Sequence, residues 1–245
     1  MKKLDRINEL VDELNELKLP NMAASLDTLY RSGSFDELDA VSLLEQVIEA
    51  EYQSKTSQRF QNRLKRAHLS GGPQSLDQCR DSVERVYLPT DINSTLSSLD
   101  FIRDGLNVCI LGPSDSGKSY LAKALGIQAC LNYRAMYHHC EECLETMVAL
   151  KQADYTKYQK KVRFYLNLDL LILDDFLLHT ITDEREIKVL FEVMEKRSEL
   201  SRCTIVCSQR EPNSWASMIL NDEVSANAIL KRATKHYTVV IQPRS

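Results

Sequence analysis

The residues of this chain best able to do chemistry together are Gly112, Pro113, Ser114, Asp115, Ser116, Gly117, Lys118 and Ser119. They match G-x-x-x-x-G-K-[ST] at every fixed position, between the apolar run Asn107–Leu111 and a helical pattern that begins at Lys118. Glycines let backbone N–H groups curl around phosphate oxygens, and the helix start behind them adds partial positive charge. In such a loop Lys118 reaches the β- and γ-phosphates and the Ser119 hydroxyl ligates Mg²⁺, with Tyr120 next along the helix. The implied chemistry is binding of ATP with Mg²⁺. Asp115 is the unusual member. Aspartate tolerates a left-handed backbone, yet its carboxylate repels phosphate unless it points outward.

Three further groups fit that chemistry. LDLLILDDFLLH, residues 168 to 179, reads as a buried strand that delivers two carboxylates to its C-terminal edge, where open parallel sheets place ligands. Asp174 is the candidate for Mg²⁺, directly or through water, and Asp175 for orienting the attacking water. The run Thr204–Cys207 ends in Ser208 and Gln209, either sensors of the γ-phosphate or simply polar residues leaving a strand. AILKRATKHY, residues 228 to 237, offers Arg232 as an arginine finger for a neighbouring protomer, against a solvated basic helix end shared with Lys231 and Lys235. His138, His139, Cys140 and Cys143 look like half of a zinc motif. No second pair stands at the spacing that zinc needs, so this segment reads as a strand-to-helix junction.

The elements that must position these groups are legible in outline. Asn107–Leu111, Arg134–Tyr137, Leu170–Leu173, Thr204–Cys207 and Tyr237–Ile241 are short apolar runs, separated by helix-length patterns at 118 to 131 and 183 to 200. That alternation predicts an α/β fold, a five-stranded parallel sheet flanked by helices. Ahead of it the pattern is helical: Leu4, Ile7, Leu10, Val11, Leu14 and Leu17 recur at steps of three and four. A short helix follows Leu19-Pro20, and a long one is capped by Asp36 or Asp39. HLSGGPQS, residues 68 to 75, reads as a linker. The expected organisation is a helical N-terminal domain over residues 1–67, a linker over 68–79 and a P-loop domain over 80–245.

The chain of 245 residues has a net charge of -4, yet Tyr52 to Leu76 contains no acidic residue. Lys55, Arg59, Arg63, Lys65 and Arg66 lie there, with Lys55, Arg59, Arg63 and Arg66 along one helical face. Such a stripe can track a phosphate backbone, and no base-reading motif accompanies it. The expectation is double-stranded DNA with little sequence preference, against the plainer reading of a solvated helix. No apolar run is long enough to span a bilayer, and MKKLDRINEL lacks a signal-peptide core, so the expected location is cytoplasmic. The 7 cysteines sit largely in apolar runs, as buried thiols do.

Together the loop, LLILDDF, the SQ-ending strand, Trp215 and AILKR resemble IstB-like ATP-binding proteins, in the DnaC-related branch of the AAA+ ATPases. ELKLPNMAASLDTLY and EAEYQSKTSQRFQNRLKRAHL extend the resemblance into the N-terminal part. It implies an ATPase that assembles on DNA as an ATP-dependent oligomer and helps a transposase encoded alongside. It also implies that Arg232 acts in trans, although Lys231 stands where relatives usually carry aspartate. A DnaC-like helicase loader would use the same core. A nucleotide-gated adaptor without hydrolysis is the third expectation, favoured by Asp115 and by aspartate rather than glutamate at 175.

Overall fold

The computed structural model describes residues 3–71, 75–219 and 223–244; the middle of the expected linker, Gly72 to Gln74, lies outside them. The chain divides into two compact units, Met1–Asn62 and Arg63–Ser245.

The first unit is helical: α1 (Lys3–Glu16), α2 (Pro20–Arg31) and most of α3 (Ala40–Arg66). Proline at the start of α2 needs no partner for its missing N–H. Of the two expected caps for α3, Asp39 serves: its Oδ1 accepts from Val41 N at 2.9 Å and Ser42 N at 3.1 Å. Ile7, Leu26 and Val47 form the buried centre of this unit. Val41, Leu44, Ile48 and Tyr52 remain exposed on α3.

The second unit is the α/β part. Its elements run β1 (Arg85–Leu88), α4 (Ile92–Ser97), α5 (Asp100–Arg103), β2 (Val108–Leu111), α6 (Lys118–Ala129), β3 (Ala135–His139), α7 (Cys140–Ala153) and α8 (Tyr155–Leu166). After these come β4 (Leu170–Asp174), α9 (Glu184–Glu199), β5 (Cys203–Ser208), α10 (Pro212–Trp215), α11 (Glu223–Ala233) and β6 (Tyr237–Pro243). The strands form one sheet in the order β1-β6-β2-β5-β4-β3. The five expected strands are present and mutually parallel, but β1 pairs antiparallel with β6, so the sheet is six-stranded and mixed. The reason β1 escapes a search for apolar runs is its place at the sheet edge: RVYL is short, and only Tyr87 in it is buried.

β2, β4 and β5 are buried at every residue, as strands covered on both faces must be. Tyr158, Tyr165, Phe176 and Trp215 are fully buried in the core on one side. The outer edge of β3 is met by the chain just after α3, where Tyr137 N donates to Ala67 O at 2.9 Å. All seven cysteines are buried free thiols. Among the described residues no helix is long and apolar enough to cross a membrane.

Candidate nucleotide site

The glycine-rich loop leaves the C-terminal end of β2, whose last residue, Leu111, lies in register with Ser208 of β5 and Val240 of β6. Gly112 is required sterically and Gly117 by its backbone conformation. A Cβ on Gly112 would meet Ile241 O at 2.5 Å and the Ser116 hydroxyl at 2.7 Å. A Cβ on Gly117, which caps α6 at φ 101°, would meet Arg85 Nη1 at 2.6 Å. Asp115 adopts the left-handed conformation, φ 58°, and is exposed, with Ser114 Oγ 3.4 Å from its Oδ2. The unusual aspartate therefore fits the turn in its backbone, with its side chain in solvent and its charge felt by Lys118.

Lys118 is buried at the start of α6, and its Nζ donates to Pro113 O at 2.6 Å. The loop satisfies its own lysine. Burial lowers the Lys118 pKa, while the charges of Asp174, Asp175 and Asp115 act in the opposite sense. Ser116 Oγ is buried without a partner, and Ser119 is half-buried in the first turn of α6. Tyr120 is otherwise engaged, its hydroxyl donating to Gln78 Oε1 at 2.7 Å and accepting from Ser75 N at 3.2 Å.

Two strands away, β4 ends on Asp174, buried, with Asp175 beyond it at φ 53°. Both carboxylates are held by β3, the neighbouring strand, through residues that motif reading passes over. Tyr137 donates to Asp174 Oδ2 at 2.5 Å, and the Asp175 N–H donates to Asp174 Oδ1 at 3.0 Å. His139 Nδ1 lies 3.1 Å from Asp175 Oδ2. Burial first, then the Asp174 carboxylate, pushes the Tyr137 phenol far above its ordinary pKa, so it stays a donor. The only hint in the sequence is the strand period: Tyr137 and His139 are two apart and share a face.

Ser208 is buried, and its Oγ accepts from Arg210 N at 3.1 Å; its carbonyl accepts from Gly112 N at 3.3 Å. Arg232, on α11, turns to α9 instead of the loop. It forms an ion pair with Glu195, its Nη1 donates to Ala228 O at 2.8 Å, and its guanidinium stands 5.8 Å from the Phe191 ring centroid. The basic stripe is likewise unequal. Arg63 donates to the carbonyls of Cys130 and Leu131 at the end of α6, and Lys55 to Lys18 O at 3.0 Å. Arg59, Arg63, Lys65 and Arg66 are all exposed, and Arg63 differs in being tied to those carbonyls.

The orphaned Ser116 hydroxyl, two glycines that the loop backbone requires and a lysine resting on a loop carbonyl suit a phosphate chain. Ser119 and Asp174 are oxygen donors of the kind Mg²⁺ takes.

The fold matches that of replication proteins. The replication initiator DnaA bound to AMPPCP and single-stranded DNA superposes with a TM-score of 0.54 at 19% identity, over 69% of this chain and 49% of that one. The DnaC helicase loader gives 0.52 at 18% identity, over 69% and 96%. Fold and loop thus define an α/β protein with a glycine-rich loop at the end of β2, built like these proteins. The family model described as IstB-like ATP binding protein matches residues 12–243, and the chain belongs to that family. A Sinorhizobium fredii relative named as an insertion sequence ATP-binding protein is 31% identical over 91% of this chain and 88% of its own length. A relative from insertion sequence IS21 of Pseudomonas aeruginosa is 26% identical over 96% and 86%.

Proposed function

We propose that this chain binds ATP with Mg²⁺ on Gly112–Ser119, hydrolyses it, and serves as an ATP-dependent, DNA-binding helper of a transposase encoded alongside. One observation carries the binding step: a buried lysine resting on a loop carbonyl 2.6 Å away, at the mouth of a sheet that also ends in Asp174. Phosphate oxygens replace Pro113 O as the acceptor for Lys118, and the loop amides complete the cradle. Bound Mg²⁺ neutralises charge on the β- and γ-phosphates. Ser119 and Asp174 hold that ion, and the Tyr137 hydroxyl keeps the Asp174 carboxylate in one orientation. Asp175, steadied by His139, orients the attacking water. Arg232 completes the site of a neighbouring protomer after leaving Glu195.

Titration with a fluorescent ATP analogue tests the core of this reading. Lys118→Ala lowers affinity on the order of 100-fold, because a charge-assisted contact to phosphate is lost. Asp115→Gly changes it by a small factor, because the carboxylate already reaches solvent. Equal binding by wild type and Lys118→Ala would refute the assignment.

The insertion-sequence names of the relatives support a transposase as partner. For DNA, the exposed Arg59, Lys65 and Arg66 are the contacts, and Arg63 is structural. Arg59→Ala with Arg66→Ala reduces the slope of log affinity against log salt by about 2; an unchanged slope would remove the stripe from the mechanism. A second reading, the nucleotide-gated adaptor, is favoured by the cis pairing of Arg232 with Glu195. Phosphate release that depends on Lys118 decides for the ATPase.

A further inference from the structure

The geometry points to Arg85 as a positioning residue of the phosphate loop: its guanidinium fixes the Ser116–Gly117 peptide so that the Gly117 N–H faces the phosphates. This rests on the ATP-binding reading of the same loop, and adds a residue outside both the loop and α6.

Arg85 Nη1 donates to Ser116 O at 3.2 Å. The approach is close enough that a Cβ on Gly117 would sit 2.6 Å from that nitrogen. Tyr87, two residues along and on the same face of β1, brings its hydroxyl to 3.9 Å from the same point. Neither residue is on a free loop. β1 is paired with β6, Arg85 against Pro243 and Tyr87 against Ile241, and Tyr87 N donates to Asp81 Oδ1 at 2.9 Å. The donor is therefore carried by the sheet.

A peptide unit is planar and trans, so its C=O and N–H point in opposite directions. Turning Ser116 O toward β1 turns the Gly117 N–H away from β1, into the space the loop encloses. That amide is one of the donors a phosphate-binding loop must present. Two cations thus hold two carbonyls of one loop: Lys118 takes Pro113 O and exchanges it for phosphate, whereas Arg85 keeps Ser116 O from outside. Asp115 lies between these two carbonyls. With no hydrogen bond to anchor its own side chain beyond the 3.4 Å approach of Ser114 Oγ, the Asp115 turn depends on such flanking support. The ion-pair partner of Arg85, Glu84 at 3.5 Å, is 81% exposed, so removing Arg85 leaves no buried charge behind.

The experiment compares full-length wild type, Arg85→Met and Arg85→Lys by two readouts. In ¹⁵N spectra of the ligand-free protein, with only 7 glycines to assign, Arg85→Met shifts or broadens the Gly117 amide. Titration with Mg-ATP, and separately with inorganic tripolyphosphate, gives a Kd raised about tenfold for both ligands, one charge-anchored contact being lost. Arg85→Lys restores most of the affinity, and the thermal transition seen by Trp215 fluorescence stays in place. A Gly117 resonance and Kd values equal to wild type in Arg85→Met would overturn the inference while leaving ATP binding intact. Failure of wild type to bind either ligand would overturn the ATP-binding reading itself.

Discussion

The helical unit and the sheet unit are stabilised by different means. Around the sheet, large side chains disappear completely: Trp215, Tyr158, Tyr165 and Phe176 are fully buried, along with the whole of β2, β4 and β5. Among the described residues of the helical unit the core cluster centres on Ile7, Leu26 and Val47, none of them fully buried, and Val41, Leu44, Ile48 and Tyr52 stay in solvent. A unit of some sixty residues buries a smaller share of its surface than a larger one. It therefore leans on polar closures, such as Asp39 capping α3 and Glu51 capping α2. The lesson concerns function as well. A phosphate loop needs amides held in one arrangement, which a deep core supplies. A basic helix that follows a polyanion needs only exposure and charge.

This contrast breaks most severely at Arg197. It is fully buried at the end of α9, and it donates to the carbonyls of Tyr165, Leu168 and Cys203 and to the Thr204 hydroxyl. Burial lowers its pKa to about 10, which still leaves it cationic at neutral pH. One side chain thus joins the end of α8, the end of α9 and the start of β5. Arg197→Met strands those acceptors in the core and costs about 3–5 kcal/mol. The single tryptophan of the chain, Trp215, belongs to the sheet unit, so its fluorescence isolates the effect. The tryptophan transition falls steeply, while helical circular dichroism retains a second, later component. One shared transition would mean that the units do not differ in the way described.

His138 sharpens the contrast through pH. Burial, reinforced by His68, Lys161 and His139, lowers its pKa to about 4, and its Nε2 lies 3.2 Å from the Tyr165 hydroxyl. The folded form keeps the ring neutral, whereas the unfolded chain takes up a proton below pH 6.5. Stability is therefore whole above about pH 6.5 and declines as the pH falls toward 4, by roughly 3 kcal/mol at most. His138→Phe flattens that decline. Tryptophan-monitored denaturation at pH 7 and pH 5 checks it, and an equally steep loss in the variant would exclude His138 as the cause.

How much of this the sequence discloses depends on the distance over which each feature is encoded. The phosphate loop is local, eight consecutive residues whose types are set by a turn and a helix start. Motif spacing therefore marks its eight residues, and the residue type at 115 is one that tolerates the left-handed backbone found there. The five parallel strands are local too, because each carries its own short apolar run, continuous in β2, β4 and β5 where burial is complete along the strand. β1 is not: an edge strand with Arg85 and Tyr87 on one face lacks such a run, and its antiparallel pairing is set by the far end of the chain. The same holds for Tyr137, His139 and Glu195, which acquire meaning only from the strand or helix that folding places beside them. Arg63 shows the converse. Periodicity puts it on the basic face, yet its guanidinium caps α6, a partner 67 residues away that no local pattern could name.

The smallest effect is expected in the helical unit, at Glu51. Its Oε2 accepts from Asn21 N at 2.8 Å and from Met22 N at 3.2 Å, closing the first turn of α2 from a neighbouring helix. Lys55 adds an ion pair at 3.5 Å. Burial acts to raise the carboxyl pKa, but the hydrogen bonds outweigh it and the net direction is downward. The sign follows: the carboxylate stabilises the fold above its ordinary pKa, and that contribution fades as the pH drops through the lowered value. Glu51→Ala leaves the α2 amides to water and lowers the helical transition by a few degrees at neutral pH, with the tryptophan transition unmoved. Circular dichroism sees the helices of both units whereas tryptophan fluorescence sees only the sheet unit, so a change in the first without the second is the diagnostic. If Glu51→Ala displaced both transitions equally, α3 would be transmitting the loss into the sheet unit, and the two regions would have to be treated as one cooperative structure.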